Sequence, residues 1–165
     1  MRKWAGRTLL AIICVGIALL VWLVFFPNHE RLIRKRLTEL AQLCSFPPNQ
    51  PPLSALKDIQ RAVSFFTPDV EIIINVPNFP VGKISGRDDL REKALAAHGF
   101  AGGLQVEFFD MAIKVAPDKK SAVATLTGKV RAGNERDFSL QELKFTLKRD
   151  GREWLVSRVE TVKTM

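Results

Sequence analysis

Tyrosine is absent from this chain of 165 residues, and only two histidines and two cysteines are present. Without a phenol, no acid, base or oxyanion donor can be built on tyrosine. Cys14 falls in an uncharged run and Cys44 in a helical pattern, so no disulfide can form within the domain that follows the run. Secreted domains of this size do not require one, and the count does not choose a compartment. No Cys or His cluster has metal-ligand spacing. There is no Gly-x-Ser-x-Gly elbow and no phosphate loop. No metal and no cofactor are therefore expected. Nucleic acid is not an expected partner either: the net charge is +8, but no aromatic-interleaved basic strand accompanies it.

Charge is also missing from Leu9 to Phe26, an unbroken run of eighteen residues between Arg2, Lys3 and Arg7 on one side and Glu30, Arg31 and Arg34 on the other. At about 1.5 Å per residue a helix over this run is roughly 27 Å long, close to the ~30 Å hydrocarbon core of a bilayer. A cleaved signal peptide has a shorter apolar region, of about 7 to 15 residues, followed by small residues. Here the run closes on Trp22, Leu23, Val24, Phe25, Phe26 and Pro27, and Cys14 follows Ile12 and Ile13 rather than the small residues of a lipoprotein signal. The run therefore predicts an uncleaved transmembrane anchor, with Trp4 and Trp22 near its interfaces. The organisation expected is a basic tail over 1–8, the span over 9–26 and one domain over 27–165. Basic residues flank both ends, and the short N-terminal tail favours a cytoplasmic N-terminus. The protein is expected in the membrane as a single-pass chain with its C-terminal domain on the extracytoplasmic side. Arg31, Arg34, Lys35 and Arg36 would then lie just beyond the bilayer, where each adds about 1 kcal/mol of attraction to anionic headgroups. A merely solvated helix face is the other reading of that cluster.

Beyond the run, Ile33, Leu37, Leu40, Ala41 and Cys44 recur at three- and four-residue steps and predict a helix from Asn28 to Ser45, with Cys44 as a small buried residue. Pro47, Pro48, Pro51 and Pro52 form a connector. A second helix is predicted from Ser54, as N-cap, to Phe66, ended by Thr67, Pro68 and Asp69. Val70 to Val76 reads as a strand closed by Pro77 and Pro80, and a third helix as starting near Ser85 or Gly86 and stopping at Gly99. Asp88 and Asp89 are first-turn acids of that helix. From Leu104 the period becomes two, with turns at Pro117 and Asp118, at Gly133 and Asn134, and at Asp150 and Gly151. A four-strand antiparallel meander follows, which must bury its apolar face against the helices.

The order of elements resembles the nuclear transport factor 2-like superfamily, which includes SnoaL-like polyketide cyclases and ketosteroid isomerases. Three stretches carry the resemblance: Phe65-Phe66-Thr67-Pro68-Asp69-Val70-Glu71-Ile72, Ser85-Gly86-Arg87-Asp88-Asp89-Leu90, and Asp150-Gly151-Arg152-Glu153-Trp154-Leu155-Val156. They mark the fold, not an activity. The implied fold is α+β: three N-terminal helices on a curved antiparallel sheet, a cystatin-like cone, preceded here by one transmembrane helix. A ketosteroid isomerase places a tyrosine in its oxyanion hole, so its usual constellation is out of reach. Cyclases and related dehydratases pair a His with an Asp, which leaves His98 and Asp110 as the candidate catalytic residues. His98 also lies in the last turn before Gly99, where a histidine interacts favourably with the helix C-terminus. Phe65, Phe66, Phe108, Phe109, Phe138 and Phe145 are expected mostly as core, or as the lining of an apolar hollow.

Two functions stay open. The first is a membrane-anchored, non-catalytic interaction or scaffold module, with the bilayer, a second copy through the sheet or another protein as partner. The bitopic component of type IV secretion machinery is similar in carrying this fold behind one N-terminal span. The second is a small-ligand carrier or SnoaL-like enzyme using the hollow.

Overall fold

The computed structural model describes residues 28–75, 82–100, 102–133 and 138–162. The predicted span over 9–26 lies outside the described residues, and among these no helix is long and apolar enough to cross a membrane.

Helix α1 covers His29–Cys44 and is capped by Asn28, whose Oδ1 accepts from the Arg31 N–H at 3.3 Å. Its inward stripe, Ile33, Leu37, Leu40 and Ala41, is buried, as the periodicity predicts. Helix α2 covers Pro52–Val63, starting two residues before Ser54 and ending three before Phe66. Pro52 supplies the first helical residue, where its missing N–H costs nothing and its fixed φ is already helical. Phe65 and Phe66 are both buried in the turn into strand β1, Phe66–Ile74. The helix stops because Val156 N–H donates to Phe65 O at 2.9 Å and Phe66 pairs with Val156.

Strand β2, Gly82–Ser85, was not anticipated; it pairs antiparallel with β1, from Glu71 opposite Ser85 to Ile74 opposite Gly82. Helix α3, Gly86–Phe100, follows at once. Asp89 reaches back to accept from the Ser85 N–H at 2.9 Å, and that bond, followed by the Lys93 ammonium, holds its carboxyl below the usual range. The first-turn acid thus satisfies a donor that the helix start leaves open.

The meander comprises β3 (Leu104–Val115), β4 (Ser121–Ala132), β5 (Ser139–Asp150) and β6 (Glu153–Thr161). All six strands form one sheet in the order β2-β1-β6-β5-β4-β3. It is mixed, not purely antiparallel, because β1 runs parallel to β6. The chain reaches β6 from β1 only after a helix and four strands, a connection long enough to bring the two strands together in the same direction. The parallel pair is interrupted between Phe66 and Glu71, and Pro68, which has no N–H to donate, sits in the interruption. Arg87 of α3 closes it: its Nε donates to Phe66 O at 2.7 Å and its Nη2 to the same oxygen.

The three helices cover one sheet face. The core between them joins Ile33, Leu37 and Leu40 of α1 to Val70 and Ile72 of β1, Leu126 of β4, Phe145 and Leu147 of β5 and Val159 of β6. The opposite face carries a ladder of ion pairs: Lys83 to Glu71 (3.8 Å), Glu71 to Arg158 (3.2 Å), Arg158 to Glu160 (2.7 Å) and Glu160 to Lys144 (3.0 Å). Lys144 and Arg158 hold the Glu160 carboxyl below the usual range. Because its folded value is depressed, the stability it contributes is fully present above the unfolded value and is lost as pH falls through the folded one. Acid titration of Tm should therefore be less steep in Glu160→Gln than in the parent below about pH 4.5. Superimposable profiles would show the ladder to be energetically silent.

Candidate functional site

The C-terminal end of α1 is stitched onto the sheet. Ser45 Oγ accepts from the Val106 N–H at 2.9 Å, and Phe46 exchanges two backbone bonds with Leu104, at 2.8 and 2.9 Å. Gly103 takes a φ of 108°, and a Cβ there would stand 3.1 Å from both Cδ and N of Pro48. Only glycine meets both demands. Around this junction lies an open cleft of about 350 Å³, bounded by Phe46, Pro47, Pro48, Leu104, Gln105 and Arg131. Arg131 Nε is buried there without a partner among the described residues.

His98 stands beside the cleft, with its ring 4.4 Å from that of Phe46. Its Nε2 lies 3.2 Å from Gln50 Oε1, and Gln50 Nε2 donates to Asp58 Oδ2 at 2.7 Å. With the Gln50 amide oriented by Asp58, its oxygen faces His98 Nε2 as an acceptor. His98 therefore meets a carboxylate, but through an amide and on α2. Gln50 and Asp58 escape a sequence reading because neither is near His98 in the chain; the polar Gln50 within a proline-rich connector is the one available signal.

Asp110 is placed elsewhere. It lies six residues along β3 from Leu104, about 20 Å at strand rise, and is exposed. The structure does not bring it to His98. Asp110 has a φ of 53° and sits where β3 shifts register, between the pairs Phe109–Thr127 and Ala112–Thr125. One extra residue there is a β-bulge, and the left-handed conformation suits a short polar side chain. Its effect is on the core: Leu104, Val106 and Phe108 precede the bulge on the inner face, and Met111, Ile113 and Val115 continue that face beyond it. Asp110→Gly should retain the parent Tm or raise it, while Asp110→Val should destabilise by about 1–3 kcal/mol. Equal Tm for the two variants would refute the bulge as the reason for this residue.

The interior is occupied. Phe65, Phe66 and Phe145 are buried, and Phe108 packs edge-on against Phe145 at 5.6 Å. Phe138 departs from the expected core: it is 51% exposed, with Lys129 over its ring at 5.0 Å. Cys44 is partly buried against the core, and burial pushes its thiol up to about 11, the behaviour of an inert structural cysteine.

Along α1 two further clefts flank the helix. One, of about 700 Å³, is bounded by Arg31, Arg34, Lys35 and Arg61 together with Glu39, which pairs with Arg61. The other, of about 350 Å³, is bounded by Leu32, Lys35, Arg36, Arg152, Glu153 and Trp154. Arg36 lies over the Phe65 ring at 4.4 Å and bonds Glu153 at 3.1 Å.

Many solved structures share this architecture. A nuclear transport factor 2-like protein of unknown function from Pseudomonas putida superposes with a TM-score of 0.64 at 13% identity, over 85% of this chain and 89% of its own. A protein with a cystatin-like fold from Nostoc punctiforme gives 0.62 at 11% identity, over 85% and 96%. A Novosphingobium aromaticivorans protein provisionally named a scytalone dehydratase gives 0.58 at 17%, over 83% and 85%. The fold is cystatin-like. At these identities the likeness concerns the fold and not the activity. No protein-family model matches the chain, and no curated protein matches its sequence.

Proposed function

We propose that this chain is a membrane-anchored cystatin-fold module that works by binding rather than turnover. In this reading Leu9–Phe26 spans the bilayer, the tail before it is cytoplasmic, and the domain lies on the extracytoplasmic side. The observation that carries the binding role is the open face of the sheet. One face is taken up by the helices and a filled interior, while Leu140 (53% exposed) and Phe138 stand on the other, beside the Glu107–Lys129 pair. Phe109 shares that face by its register with Thr127. An apolar patch ringed by paired charges is the usual composition of a protein interface. The partner proposed is a second copy of the chain.

Velocity sedimentation of the full chain in detergent should give a dimer, and Leu140→Asp should return it to monomer; a parent monomer throughout overturns this interface. Alkaline carbonate should leave the chain in the membrane, and a phosphatase fused to its C-terminus should be active. Release by carbonate overturns the anchor.

A second reading has its own support in the Asp58–Gln50–His98 chain of contacts beside the first cleft, which presents a histidine to a small ligand or to SnoaL-like chemistry. Native mass spectrometry of the full chain tests it. A retained small molecule lost in His98→Ala favours this reading, and a clean protein mass opposes it.

A further inference from the structure

We infer that the end of the domain at which α1 begins is a docking surface for anionic phospholipid headgroups, so that the domain stands on the bilayer with its first cleft turned away. This deepens the anchored reading and rests on it. Between Phe26, the last residue of the uncharged run, and His29, the first of α1, stand only Pro27 and Asn28. Even fully extended, that chain reaches about 10 Å, roughly one Debye length at physiological salt. The start of α1 is thus within electrostatic reach of the headgroups.

Three segments far apart in sequence meet at this end. Phe46, just past α1, pairs with Leu104, while Arg34 near its start donates to Met111 O at 3.0 Å. Helix α1 therefore runs opposite to β3, and its first turn lies at the end of β3 that leads into the β3–β4 turn. That turn adjoins the β5–β6 hairpin: Arg149 N–H donates to Lys120 O at 2.8 Å, and Ser121 pairs with Lys148. The hairpin returns to α1, where the Trp154 ring meets that of His29 at 5.7 Å.

The surface so assembled is basic. Arg31 and Lys35 come from α1, Lys120 from the turn, and Lys148, Arg149 and Arg152 from the hairpin, all exposed. Three of its acids have neighbours, Glu30 with Arg34, Glu153 with Arg36 and Asp118 with the Lys120 N–H, and the exposed Asp150 stands beside Arg149, so that bases still outnumber acids at this end. Arg149 and Lys119 add to burial in lowering the pKa of His29, which places both cations near the start of α1. Only the α1 part of this surface could be read from the sequence. The other two segments lie 80 or more residues away and arrive through sheet register. Anionic lipid is the occupant because the surface is continuous with the chain leading to the span and opposite in charge to the headgroups.

The test uses the full chain in nanodiscs of phosphatidylcholine alone and of equal parts phosphatidylcholine and phosphatidylglycerol, read by hydrogen exchange. Expected is slower exchange over 116–120 and 149–152 in the anionic discs, by roughly tenfold and reversed by salt. R149E/R152E should abolish the difference, and K57E/R91E, equal charge reversals on α2 and α3, should keep it. Equal exchange in the two lipids, or the same protection by inorganic phosphate in neutral discs, overturns the inference. Carbonate extraction separates the two claims. A chain that resists carbonate but shows no lipid dependence keeps the anchor and loses the docking surface. A chain released by carbonate that still floats with anionic vesicles in a salt-reversible manner loses the anchor and keeps the surface.

Discussion

Phe145→Ala should lower the unfolding free energy by about 3–5 kcal/mol and Tm by roughly 10–15 °C. Phe145 is 3% exposed, and its ring stands on β5 in the row that joins Ala124 of β4 to Val159 of β6. Both neighbours in that row are small or medium-sized, so neither can fill the space left by the ring. Phe108 would lose its edge-on partner as well. Thermal melting followed by far-ultraviolet circular dichroism measures the effect. A fall of less than about 1 kcal/mol would mean that the inner layer repacks and that its close packing does not carry the fold.

Gly103→Ala should cost about 2–3 kcal/mol, an unusually large effect for a single added methyl group. The φ of 108° lies where an L side chain is strained, and the added Cβ would meet the Pro48 backbone at a distance that a flexible neighbour could relieve and a proline cannot. The strain would be relieved by moving the connector off β3, breaking the bonds between Phe46 and Leu104 and the bond from Gly133 N–H to Gly103 O at 2.8 Å. The expected signature is therefore local as well as global: faster exchange at Phe46, Leu104 and Gly133 than the loss of stability alone explains. Gly102, whose Cβ position meets nothing within 4 Å, is the matched control. Equal losses at Gly102→Ala and Gly103→Ala would show that chain flexibility, and not the contact with Pro48, is what matters.

The helices were the most legible part of the chain. Their apolar residues recur at 3.6, and α1 is found at His29–Cys44 against a reading of Asn28 to Ser45. The boundaries that moved did so for tertiary reasons: Phe66 leaves α2 because Val156 claims its neighbourhood. Strand β2 is four residues long and too short to show a period. The bulge at Asp110, by contrast, left a trace. Apolar residues occupy even positions through Phe108 and odd positions from Met111 to Val115, a change of phase that a strand can accommodate only by inserting a residue. Read as a catalytic carboxylate, Asp110 concealed that signal. His98 was legible as a histidine near a helix end, but its partners were not, because hydrogen bonds across 40 or more residues obey no period.

What the sequence determined by itself is what depends on neighbours in the chain: an uncharged run of bilayer length, three amphipathic helices, a set of alternating strands and the turns between them. Those follow from backbone geometry and local burial, and they are enough to specify the class of fold. The parallel pairing of β1 with β6, the chain of contacts from Asp58 to His98, and the meeting of α1 with the β3–β4 turn and the β5–β6 hairpin were decided only in three dimensions. Each depends on register between distant segments, where a shift of one residue would turn every side chain to the other face and leave the local pattern unchanged.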